Sequence, residues 1–193
     1  MVRDTANDDS DQPTHTSVTI KGSCHCGRVA FTVESFTPYP FMVCHCTADT
    51  KTAGLYTSNI MGEFATLHLS GTDPNMAHSV YRASIPATDS TPASLSTHER
   101  HFCCMCGSAL WAYDSRWPES IYPFATAIDT PTLPSVPIKD QIHIFTGFRK
   151  DYSPPIPANV EAVHCFGGYP DIGIAEWHKK HGRYGTFSPP SDS

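Results

Sequence analysis

Ser17-Val18-Thr19-Ile20-Lys21-Gly22 alternates polar and apolar positions, and Arg28-Val29-Ala30-Phe31-Thr32-Val33-Glu34 repeats the pattern with Val29, Phe31 and Val33 on one side. A period of two marks a half-buried strand. Only Ser23-Cys24-His25-Cys26-Gly27 separates the two runs, so they predict a hairpin that carries two thiols at its tip. Pro38-Tyr39-Pro40 then breaks the pattern. Phe41-Met42-Val43 predicts a short strand leading into Cys44-His45-Cys46.

Further apolar runs follow at Leu55-Tyr56 and at Phe64-Ala65-Thr66-Leu67-His68-Leu69, the latter closed by Ser70-Gly71. Ser79-Val80-Tyr81-Arg82, Ala109-Leu110-Trp111-Ala112-Tyr113, residues 121–128 and Gln141-Ile142-His143-Ile144-Phe145 are further strand candidates. Residues 83–98, rich in Ser, Thr, Pro and Ala, predict a mobile loop or insertion. Pro131, Pro134 and Pro137 mark a linker, and Glu176-Trp177-His178-Lys179-Lys180 predicts one short helical turn. There is no internal repeat and no long amphipathic helix. The fold class expected is mainly β. One domain is expected over 16–187, between an acidic, disordered lead-in at 1–15 and a disordered tail at 188–193.

Composition narrows this further. The 193 residues suffice for one core, and 17 Pro and 12 Gly favour strands and loops over helices. Net charge is -6 and no basic run interleaves with aromatics, so no nucleic-acid partner is expected. No apolar run is long enough to span a bilayer. The start, Met1-Val2-Arg3-Asp4, lacks the apolar stretch of a secretory signal, which makes a cytoplasmic setting with reduced thiols the expectation.

Eight cysteines then carry the chemistry. Cys103 and Cys106 in Phe102-Cys103-Cys104-Met105-Cys106-Gly107 have the C-x-x-C spacing of a zinc knuckle. Cys24 and Cys26 can supply two more sulfurs, closing a four-thiolate structural Zn²⁺ site. Buried free thiols are the alternative. In Cys44-His45-Cys46-Thr47-Ala48-Asp49, two thiols and a carboxylate can hold a second zinc with an open position, as a catalytic metal requires. The alternative is a degenerate site without tightly held metal. His25 and His45, each between two thiols, are expected beside the metals and not on them. His143 can face a pocket or solvent, Cys104 is expected to face away from its neighbours' ligand site, and Cys165 is expected in the core.

These motifs, Gly22-Ser23-Cys24-His25-Cys26-Gly27 with Val29 and Phe31, Cys44-His45-Cys46, and Phe102-Cys103-Cys104-Met105-Cys106-Gly107-Ser108-Ala109-Leu110, resemble the glutathione-dependent formaldehyde-activating enzyme family, which includes the centromere protein V domain. The resemblance covers roughly residues 17–170. It implies coiled antiparallel β-sheets, a structural zinc on Cys24, Cys26, Cys103 and Cys106, and a second zinc at a C-x-C-x-x-C motif that falls on Cys44, Cys46 and Asp49. It also implies a carbon–sulfur lyase activity joining formaldehyde to glutathione. Asp49 replaces the third cysteine, and a Cys₂Asp zinc is the stronger Lewis acid, suited to polarising a carbonyl or activating water.

The expectation is therefore a zinc-dependent lyase-type enzyme acting on a small organic substrate, a thiol or carbonyl compound that need not be S-hydroxymethylglutathione. No basic cluster near the motifs is evident to receive glutathione's carboxylates. His45, His25, His143 and Asp49 are the candidate catalytic groups, because histidine titrates near neutrality. The rival readings are a metal-independent acid–base lyase or cyclase on the same fold and a non-catalytic zinc-stabilised binding module.

Overall fold

The computed structural model describes residues 15–161 and 164–187. The expected disordered ends lie outside these residues except for His15, whose ring packs edge-on against Tyr184 at 5.0 Å. Thr16 N–H donates to the Gly185 carbonyl at 3.2 Å, so the start and end of the described chain pair with each other.

The expected hairpin forms. β1 (Val18–Ser23) pairs antiparallel with β2 (Ala30–Ser35), with Gly22 opposite Phe31 and Ser23 opposite Ala30. Val29, Phe31 and Val33 are all buried, as their alternation requires. β3 (Met42–Cys44) runs into α1 (Thr47–Thr52), a helix the apolar pattern does not reveal. Cys46 caps α1: its Sγ accepts from Asp49 N–H at 3.3 Å, in the place where Ser or Asp would ordinarily stand. Short strands β4 (Thr57–Ser58), β5 (Gly62–Glu63) and β6 (His68–Ser70) follow, and then the one-turn helix α2 (Pro74–Ala77).

Two expectations are corrected here. Half of residues 83–98 is strand: β7 (His78–Ile85) pairs antiparallel with β8 (Ser94–Cys103), and the expected loop shortens to 86–93. β7 lies at a sheet edge, and Ser84 and Ile85 at its end and Ser94, Leu95 and Thr97 at the start of β8 are exposed, so Ser and Thr are acceptable there and leave no apolar alternation to read. The expected strand over 121–128 divides. β10 (Ser120–Pro123) ends at a proline, which has no N–H to donate, a 3₁₀ turn spans Ala125–Ala127, and β11 (Ile128–Thr130) joins another sheet. β9 (Ala109–Asp114), β12 (Ile142–Ile144) and α3 (Ile174–Lys180) fall where the sequence places them.

The strands make three sheets, in the orders β11-β1-β2-β6, β5-β10-β9-β8-β7 and β12-β3-β4. The fold is thus mainly β with few helices, as expected, although β12 pairs parallel to β3. Phe31 and Trp111, both fully buried, meet edge-to-face at 5.2 Å and join the first two sheets. Burying such a side chain is worth roughly 1.5–3 kcal/mol. A second core, with Phe41, Ile142, Ile144 and Trp177, packs α3 on the small sheet, and Phe41 stacks on Trp177 at 3.9 Å.

Candidate functional site

Two tight turns bring the first four cysteines together. In the β1–β2 turn, Cys24 N–H donates to the Val29 carbonyl at 2.8 Å, and Gly27 N–H donates to the Cys24 carbonyl at 2.9 Å. In the β8–β9 turn, Cys103 N–H donates to the Ser108 carbonyl at 2.9 Å, and Gly107 N–H donates to the Cys103 carbonyl at 2.8 Å. Gly27 and Gly107 have φ of 72° and 79°, a left-handed conformation that glycine adopts at no steric cost. His25 N–H donates to Ser108 Oγ at 3.1 Å and ties one turn to the other.

The Sγ atoms of Cys24, Cys26, Cys103 and Cys106 all lie within 4.8 Å of one another, with Cys24–Cys26 at 3.5 Å and Cys26–Cys103 at 3.8 Å. Four sulfurs bound tetrahedrally at about 2.3 Å would sit ~3.8 Å apart, so the donor set fits zinc. Burial pushes the Cys103 thiol up to about 12, while the Ser108 hydroxyl draws Cys106 down to about 5. Cys104 is exposed and outside the cluster, as expected, with its Sγ directed to the Met76 carbonyl at 3.6 Å.

The second group, Cys44, Cys46 and Asp49, also has its ligand atoms within 4.8 Å of one another. Cys44 ends β3 and Asp49 stands in the first turn of α1, so strand and helix cap together set the spacing. Hydrogen bonding with Cys46 and burial push the Cys44 thiol up, and the same bond draws Cys46 down. Asp49 has a partner that the sequence does not disclose. Arg100, from β8, donates from Nε at 3.0 Å and from Nη2 at 2.8 Å, both to Oδ1. This leaves Oδ2 for another partner, so the donor set still fits a metal.

These groups open onto a cavity of about 750 Å³. One wall is the five-stranded sheet, including Ser96, His98 and Arg100, which alternate along β8 onto one face. The lining also includes Met42, Cys44, Ile144 and Ile174, from the small sheet and α3. Residues 83–98, expected as a loop, thus supply part of the wall.

The four expected catalytic groups separate. Asp49 lines the cavity. His25 is exposed on the clasp and lines a different cleft, with Thr52, Ser108 and Asp129. His45 and His143 are buried and bond to each other, Nε2 to Nδ1 at 2.9 Å, and neither lines the Asp49 cavity. Cys44 and His45 are consecutive, and consecutive side chains in extended chain point to opposite sides. Cys165 is half-buried, bridges to His143 through the backbone, and stands outside both cysteine groups.

The imidazole that does line the cavity is His98. Its Nδ1 lies 3.6 Å from Asp114 Oδ2, and burial, assisted by the Arg100 guanidinium, holds its pKa below the usual histidine value. Arg116, also on the wall, bonds Asp114 through Nε at 3.0 Å and Nη2 at 2.6 Å. The expectation that no basic groups lie near the motifs is therefore revised: Arg100 and Arg116 reach the site through the β8–β9 fold. His98 and Arg100, two apart on a strand, would have been the one visible signal.

Fold and site together define a mainly β protein with two cysteine-centred groups that could hold metal, one of them on a cavity. The chain matches the family model "Glutathione-dependent formaldehyde-activating enzyme" over residues 19–147. It is 43% identical over 165 residues to a Halomonas elongata protein named "Putative glutathione-dependent formaldehyde-activating enzyme", covering 84% of this chain and 96% of that one. The chain belongs to this family. It also aligns with a Rhodobacter sphaeroides protein of known crystal structure at 19% identity, covering 60% of this chain and 99% of that chain, with a TM-score of 0.42. No described helix is long and apolar enough to cross a membrane.

Proposed function

We propose that the protein is a zinc-dependent lyase-type enzyme of the carbon–sulfur class, acting on a small thiol or carbonyl compound other than S-hydroxymethylglutathione. One zinc is structural, on Cys24, Cys26, Cys103 and Cys106. A second would be held by Cys44, Cys46 and Asp49. Bound there, zinc supplies Lewis acidity towards a carbonyl oxygen or a thiolate sulfur. The observation that carries the reading is that this second donor set lines the large cavity while the first does not.

The chain's own residues do the remaining work. Arg100 fixes the Asp49 carboxylate by its two bonds to Oδ1. His98, kept neutral by burial, can accept a proton from a substrate thiol or hydroxyl and return it to the departing group. A ligand that displaces water from the largely apolar walls would strengthen every charge interaction inside. The Asp49–Arg100 ion pair itself favours a second reading, because Asp49 already has a compensating charge. In that reading the cavity does acid–base chemistry with His98 and Asp49 and no second metal.

Elemental analysis separates the two. Two zinc per chain, falling to one in Asp49→Ala, supports the first reading. One zinc per chain, unchanged in Asp49→Ala, overturns it and leaves the metal-free reading.

A further inference from the structure

We infer that the cavity takes an uncharged, largely apolar small molecule, and that anionic peptide thiols such as glutathione are excluded from it. This rests on the reading of the cavity as the active site and names the chemistry of what enters it.

The first observation is the wall. Met42, Ile144, Ile172 and Ile174 line the space together with Ala83 and Ala112. The volume of about 750 Å³ lies within the roughly 300–1,000 Å³ of pockets that enclose drug-sized ligands. Large apolar side chains also stand unburied on its lining: Ile85 is 48% exposed and Trp117 45%. An apolar ligand would cover them.

The second observation is the charge balance. The cavity has two cationic side chains on its wall, Arg100 and Arg116. Arg100 is committed to Asp49 at 2.8 Å, and Arg116 to the fully buried carboxylate of Asp114 at 2.6 Å. The remaining charged group on the wall, Glu176, is an exposed carboxylate with no ion pair among the described residues. Zinc on Cys44, Cys46 and Asp49 would leave this unchanged, since two thiolates and a carboxylate exceed its charge by one and Arg100 cancels the excess. Glutathione carries two carboxylates and one ammonium at neutral pH. The wall offers its carboxylates no free cation and meets them with Glu176. Polar groups that suit a neutral ligand are present instead: Asn59, Ser96, Tyr122 and the neutral imidazole of His98 can bond a carbonyl or hydroxyl.

Calorimetric titration of the full-length, zinc-loaded protein tests this with three probes: 2-naphthalenemethanol, its carboxylate counterpart 2-naphthoate, and glutathione. The alcohol should bind at least about tenfold more tightly than the carboxylate, and glutathione should show no binding at low millimolar concentration. Ile85→Asp should weaken the alcohol by about tenfold. Ile85 is half-exposed, so the fold tolerates the change. Equal or tighter binding of naphthoate or glutathione overturns the inference. So does failure of the alcohol to bind, or an alcohol affinity untouched by both Ile85→Asp and Trp117→Ala. A protein that shows the expected preference but turns over no thiol or carbonyl compound retains this inference and loses the enzymatic reading. One that turns over S-hydroxymethylglutathione with preference retains enzymatic activity and loses this inference.

Discussion

Arg100→Met leaves the Asp49 carboxylate without its partner. The Arg100 side chain is 9% exposed and that of Asp49 11%, so water replaces little of what is lost. Both bonds end on one oxygen, Oδ1. Methionine keeps the apolar stem, so little packing is lost with the charge. Removing one partner of a buried pair costs about 3–5 kcal/mol, much of it the penalty of a stranded charge. Asp49 opens onto the cavity, whose water offsets part of this, and we expect the lower end, about 3 kcal/mol. For a chain of this size, each kcal/mol moves Tm by about 2–4 °C, so the melt should fall by roughly 6–12 °C. Urea denaturation followed by tryptophan fluorescence, at matched zinc content, gives the free energy. The double variant Arg100→Met/Asp49→Leu removes both charges, and its loss should be smaller than the sum of the two single losses by about 2 kcal/mol. A single-variant loss below about 1 kcal/mol with an additive cycle is the behaviour of a surface pair, and would refute the claim that Arg100 holds Asp49.

Three further outcomes follow from the geometry. Cys24→Ser or Cys103→Ser should lose one zinc equivalent together with the soluble fold, because the clasp joins the tips of two sheets, and a soluble, folded Cys24→Ser with full zinc content counts against the structural site. His98→Gln should lower turnover of a thiol or carbonyl substrate by about 10²–10⁴-fold and flatten the acidic limb of the pH–rate profile, whereas His25→Gln, on another cleft, should leave both unchanged. His178 is buried, donates from Nδ1 to the Ile174 carbonyl at 2.8 Å and accepts Tyr39 N–H on Nε2 at 3.2 Å, an arrangement that only the neutral ring permits. Burial pushes its pKa down to about 4 from 6.5. The stability it contributes is therefore present above pH 6.5 and is lost as pH falls towards 4, by roughly 3 kcal/mol. Denaturation curves across that range should show the loss, and His178→Gln should reduce it.

Much of this protein was legible in one dimension. The strict alternation at 17–22 and 28–34 determined the hairpin, because a strand buried on one side repeats every two residues and leaves little choice of register. The C-x-C and C-x-x-C spacings, each bounded by glycine, determined which sulfurs could meet, since a turn that presents two thiols to one ion is a local structure. The presence of β9 and β12 followed from the same local logic.

What the sequence left open depends on neighbours far along the chain. The end of β7 and the start of β8 have no apolar alternation, because their strand state comes from backbone pairing across the hairpin and to β9, and Ser and Thr satisfy that as well as Val does. α1 was invisible because a cysteine serves as its cap. His25, His45 and His143 looked equivalent in sequence, and only the third dimension separated an exposed clasp residue from a buried pair behind Cys44. Arg100 lies 51 positions from Asp49, and no local rule links them. Tertiary structure alone decided that Asp49 faces an arginine. It also decided that His98 fronts the cavity, since a charge pair and a cavity wall are properties of strands brought together by folding.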